Sequence, residues 1–195
     1  AGYEVVTAGP ATGQYIPWSG GLYLDCEPWT PDIELQPQQA HSIKDVLVKT
    51  GPVDLIVQCD AHFFLFGDSP VPNVCYAVDN HVREYNQREF DIFFGAHSWG
   101  FGMDKPNAIW LPCAYDPRWH YMIGGNSAYW ARDVDVCMIG SLYQSRMSAI
   151  NVLLFGGFSV TIGCGQVYDK CNAQYNAAKM ALCTSIKGDM ACRVF

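Results

Sequence analysis

The sequence predicts an α/β fold, with a Rossmann-like domain at 1–122 and the beginning of a second Rossmann-like domain at 123–195. Three observations predict it. Short apolar runs are continuous rather than alternating, as in parallel strands covered on both faces. Helical stripes separate those runs, and a stretch without periodicity interrupts the rhythm near 112–132. Half of the 195 residues are apolar, enough for one complete domain and part of a second.

The elements follow in chain order. Glu4-Val5-Val6-Thr7-Ala8-Gly9 reads as a strand entering a glycine turn. Residues 10–39 carry Pro, Gly, Trp18 and Trp29 without a stripe, so a long loop is expected there. Over 42–50, Ile43, Val46 and Leu47 share one helical face, Asp45 and Lys49 pair at i,i+4, and Gly51-Pro52 stops the helix. Apolar runs at 53–59, 74–78, 92–96 and 108–111 supply the strands of the first domain. Pro112, Pro117 and Gly124-Gly125 mark the boundary region. In the second domain a strand at 134–139 precedes a helix at 145–155, with Met147, Ile150 and Leu154 on one stripe and Gly156-Gly157 as terminator. A strand at 158–162, a helix capped by Asp169 with Cys171, Tyr175 and Ala178 inward, and a strand at 180–183 complete the pattern. Both ends read as cut: the start resembles a strand with something before it, and Asp189–Phe195 stops inside a helical pattern.

Composition excludes several classes. Net charge is −7 with 12 basic residues and no Lys/Arg cluster, so nucleic acid is not an expected partner. No apolar run reaches the ~20 residues of a membrane span, and the first residues lack a signal-peptide pattern. Nine cysteines are an odd number, several lie inside strand-like runs, and none form a C-x-x-C pair. Reduced core thiols and a cytoplasmic location are therefore expected, rather than a disulfide framework or structural zinc.

Four segments then occur in a telling order: Asp54-Leu55-Ile56-Val57-Gln58-Cys59-Asp60, Tyr76-Ala77-Val78-Asp79-Asn80-His81, Trp110-Leu111-Pro112-Cys113-Ala114-Tyr115-Asp116-Pro117, and Asp135-Val136-Cys137-Met138-Ile139-Gly140-Ser141. With the final Gly188–Phe195 they resemble the bacterial glycosyltransferase family related to the spore-maturation protein CgeB, which joins a variable acceptor lobe to a group 1, family 4-like donor lobe. The resemblance runs from about Asp54 to the end. It implies a two-lobed GT-B type enzyme that moves a sugar from a nucleoside diphosphate to a glycan, protein or small acceptor, with no cofactor beyond that donor. It also implies a first strand before Ala1 and a donor-site Glu after Phe195, so this chain would be a fragment, inactive alone.

Sugar transfer needs a partner for the acceptor hydroxyl, stabilisation of the departing diphosphate and a dry cleft. In open α/β sheets such groups sit directly after strands. Asp79 and His81 follow the 74–78 run and are the catalytic candidates; alternatively Asp79 caps a short helix at 81–90 and His81 is solvated. Asp60, His62 and His97 follow neighbouring strands as acceptor-binding candidates, with Ser98 as a rival helix cap. Gly140 and Ser141 precede a helix start that could hold a phosphate, and Arg146 either adds a charged contact or lies on the surface. Asp189 and Arg193 either form an ordinary helical pair or meet the donor diphosphate. The 10–39 aromatics either stack on a sugar or pack on the lobe. No Asp-x-Asp motif lies in a loop suited to Mg²⁺, so a metal-independent reaction is expected. An epimerase on a similar scaffold and a non-catalytic sugar- or nucleotide-binding module remain as alternatives.

Overall fold

The computed structural model describes residues 2–9, 15–16, 22–23, 30–36, 39–59, 65–81, 84–85, 90–114, 116–124, 131–166 and 168–184. The fold is mixed α/β with parallel sheets. The chain divides into two units, one of Ala1–Ala11 with Trp29–Cys113, the other of Thr12–Pro28 with Ala114–Phe195.

In the first unit, β1 (Ala8–Gly9) pairs in parallel with β4 (Ile33–Glu34). Helix α1 (Ile43–Thr50) follows, and then the parallel sheet of β5 (Ile56–Cys59), β6 (Asn73–Ala77), β7 (Ile92–Gly95) and β8 (Ala108–Trp110) in sequential order. α1 begins one residue inside the expected 42–50 span because Ser42 is its cap, its side chain accepting from the Asp45 N–H at 3.0 Å, and it ends on Gly51, whose N–H reaches the Leu47 carbonyl. Its stripe buries Ile43 and Val46. β6 is the central strand, buried nearly throughout, and its Cys75 and Ala77 form a core with Tyr85, Phe90 and Phe93. β5, β7 and β8 are shorter than their apolar runs by a residue or more, and β6 is as long as its run but starts one residue earlier. Glu84 and Tyr85 are not helical, so no continuous helix spans 81–90. The 10–39 stretch is not structureless: it contributes β4 here and a two-stranded antiparallel pair, β2 (Tyr15–Ile16) with β3 (Leu22–Tyr23), to the second unit.

The second unit centres on β9 (Val134–Ile139), flanked in parallel by β10 (Val160–Gly163) and β11 (Ala178–Ala181). Between them run α2 (Gln144–Phe155) and α3 (Tyr168–Asn176). Cys137, Ile139 and Ala178 form the core, with Cys171 and Tyr175 of α3 packed against it. Ala178 therefore faces inward from a strand, not from the helix, and the last strand starts two residues before 180. In α2 the inward face is Arg146 and Ile150, while Leu154 is exposed. Among the described residues no helix is long and apolar enough to cross a membrane.

Candidate functional site at the strand carboxyl ends

In the first unit, β6 stops at Ala77 and the chain turns through 78–81. Asp79 is exposed on this turn, and Asn80 is fully buried. The Asn80 amide holds the adjacent turn after β7: its Nδ2 donates to the carbonyls of His97 at 3.0 Å and Trp99 at 3.1 Å, and its Oδ1 accepts from the His97 N–H at 3.0 Å. The Asn80 carbonyl also accepts from the Phe101 N–H at 2.7 Å. Gly100, at φ +106, passes so close that a Cβ there would lie 2.3 Å from the Asn80 carbonyl oxygen.

This lock places three rings together. His81 and His97 have centroids 4.2 Å apart, and Trp99 stands 5.7 Å from His97 and 5.9 Å from His81, edge-on to the latter. Trp99 is 46% exposed, so the cluster opens to solvent on the indole side. Two residues separated by 16 in sequence, read independently from the strand-end rule, are thus brought into contact. Asn80 and Trp99 were not among the candidates. Beside the cluster, Trp110 Nε1 donates to the Ala96 carbonyl at 3.2 Å, and the Tyr76 hydroxyl meets Cys113 Sγ at 3.5 Å. Ser98 caps no helix, because 96–100 is a run of bends. Asp60 and His62 lie outside the described residues.

In the second unit, β9 ends at Ile139, and Gly140 turns at φ +134 while its N–H still reaches the Gly163 carbonyl at 2.9 Å. Ser141 follows, and α2 starts after Tyr143, which gives it no side-chain cap. Arg146 corrects the surface alternative: it is 4% exposed. Its Nη1 donates to the Ser141 carbonyl at 2.7 Å, its Nε to Thr184 Oγ1 at 3.2 Å, and its guanidinium carbon sits 5.1 Å from the Tyr143 ring centroid. The guanidinium thereby ties the turn after β9 to the segment after β11. Asp189 and Arg193 lie outside the described residues.

Other titratable groups serve the scaffold. Lys179 and the Ser159 N–H and hydroxyl hold the Asp135 carboxyl at about 2, with Lys179 Nζ at 2.9 Å. Arg118 holds Asp116 at about 2 within the 116–120 turn. Burial, and then Cys171, push the Cys137 thiol up to about 11, which keeps it a neutral core group rather than a nucleophile. Among the described residues no group of three His, Cys, Asp or Glu is placed to hold a metal ion.

The arrangement has two chemical capacities. An imidazole beside an exposed indole face can take a proton from a hydroxyl whose sugar ring lies on the indole. The start of α2, which follows the Gly140–Ser141 turn, is a place where an anion is favoured, while the Gly140 N–H itself is taken by the Gly163 carbonyl. No family model, no curated protein and no solved structure matches the chain.

Proposed function

We propose that the chain belongs to a nucleotide-sugar glycosyltransferase of the two-lobed GT-B type, with the first unit serving the acceptor and the second the donor. The observation that carries the reading is the His81, His97 and Trp99 cluster at the carboxyl ends of adjacent parallel strands. In this reading the acceptor sugar lies on Trp99 and its hydroxyl faces His81. As the oxygen bonds to the anomeric carbon, its proton passes to the imidazole and the bond from that carbon to the diphosphate breaks. The leaving diphosphate takes the negative charge. Within the second unit, taken by itself, the N–H groups at the start of α2, just after the Gly140–Ser141 turn, are the anion site on which the donor role rests. Arg146 acts by holding that turn in place through the Ser141 carbonyl. Asp79, exposed two residues before His81, orients the acceptor.

The test is nucleoside diphosphate release by the full-length polypeptide from a panel of UDP-, GDP-, dTDP- and ADP-sugars. Release with one donor that needs an acceptor supports the proposal. Absence of both binding and turnover with every donor removes it, and binding without turnover leaves a sugar- or nucleotide-binding module in its place.

A further inference from the structure

The chemistry above leaves the β5 edge of the first unit unused. There the structure holds a cavity of about 440 Å³ walled by two sheet edges, with Ala8 and Gly9 of β1 on one side and Ile56, Val57 and Cys59 of β5 on the other. Among the described residues β1 pairs with β4 alone, and β5 with β6 alone. The phase of the hydrogen bonds shows which groups face the cavity. The Thr7 and Gly9 carbonyls accept from Ile33 and Leu35 at 3.0 and 2.7 Å, so Ala8 turns its peptide groups away from β4. Ile56 donates to the Pro72 carbonyl at 2.9 Å, so Val57 turns its own away from β6. Val46 and Leu47 of α1 add apolar surface to the cavity, and among the described residues no Asp, Glu, Lys, Arg or His lines it. Val57 is 55% exposed on this edge.

Two strand edges with outward peptide groups, facing one apolar cavity, specify a strand. The doubly wound order 3-2-1-4-5-6 says which one. With β4 and β1 as the third and second strands, and β5, β6 and β7 as the fourth to sixth, the vacant place is that of strand one. We infer that the cavity is the slot for one further parallel strand, an extended apolar peptide segment of about four residues rich in Val and Ile. It hydrogen-bonds Ala8 on one side and Val57 on the other, lays alternate side chains on α1, and joins the two sheets of this unit into one. A compact apolar ligand fills such a space but leaves both rows of peptide groups without partners. The inference does not rest on the sugar-transfer reading.

The test is amide hydrogen exchange of the 195-residue chain with the synthetic peptide Lys-Val-Ile-Val-Val-Thr-Lys at millimolar concentration. Exchange at Val57 and Cys59 is expected to slow about tenfold or more, with β9 amides unchanged. A peptide with Pro at its central position is expected to give no protection, since it lacks the N–H that the slot requires. The inference is overturned by equal protection from the Pro peptide, by no protection from the parent peptide, or by equal protection from decanoic acid. Protection that grows with protein concentration in the absence of peptide assigns the slot to a second copy and overturns it as well.

Discussion

Asn80 makes three side-chain hydrogen bonds to the backbone of His97 and Trp99 from a fully buried position. Removing the amide strands two carbonyls and an N–H in the interior, which costs about 1–3 kcal/mol. Asn80→Ala is therefore expected to lower the urea midpoint and free the His97–Trp99 turn, read as faster exchange of the His97 amide; an unchanged midpoint would count against the lock. His81→Ala keeps Asn80 and its lock. Under the proposed sugar transfer it is expected to reduce nucleoside diphosphate release by about 10²–10⁴ while the midpoint holds, and wild-type turnover would remove His81 from the chemistry. The placement of Asp79, His81 and His97 after strands was legible because a polar residue directly after an apolar run is a local pattern. Asn80 was not singled out, because its partners lie 17 and 19 residues away and no spacing within a turn announces them. The burial of Arg146 was not legible, since its partner Thr184 is 38 residues distant.

The elements draw stability from their ends as well as their faces. Ser42 caps α1 through the Asp45 N–H, so Ser42→Ala is expected to destabilise the first unit by about 1 kcal/mol, measured as a shift in its denaturation midpoint. In the second unit the Asp135 carboxylate joins β9 to Ser159, just before β10, and to Lys179 of β11. Its pKa is depressed from 3.8 to about 2, so the carboxylate binds its proton less readily folded than unfolded. The stabilisation is then complete above the unfolded value and lost as pH falls from about 3.8 toward about 2. Asp135→Asn is expected to lower the denaturation midpoint at pH above this window and to converge with wild type at its acid end. Parallel midpoint curves for the two proteins through the window would contradict the clip. The helix expected over 42–50 was legible to within one residue because its stripe and stop signal agree, and the one-residue difference is Ser42, which caps the helix instead of joining it. The alternative of a short helix at 81–90 fails, because the backbone at 84–85 is not helical although Tyr85 and Phe90 are buried in one core. The short β4 was hidden because a two-residue strand is held by register with β1, not by its own pattern.

At the scale of the whole molecule, the α/β rhythm was legible because parallel strands buried on both faces are written as continuous apolar runs. Sheet order and the slot beside β5 were not, because pairing partners are set by crossovers and not by any one segment. Each unit carries its own parallel sheet, and the polar turns that follow β6, β7 and β9 are the places where such sheets bind ligands. Nucleotide-sugar recognition is the central proposal, and it requires that the Gly140–Ser141 turn respond to a diphosphate. The most direct measurement is the NMR titration of the Gly140, Ser141 and Arg146 amides in the full-length protein with UDP-, GDP-, dTDP- and ADP-sugars. Saturable shifts at these amides with one of the donors, absent for the matching free sugar, are expected; no shift with any donor, or shifts confined to residues far from that turn, would contradict it.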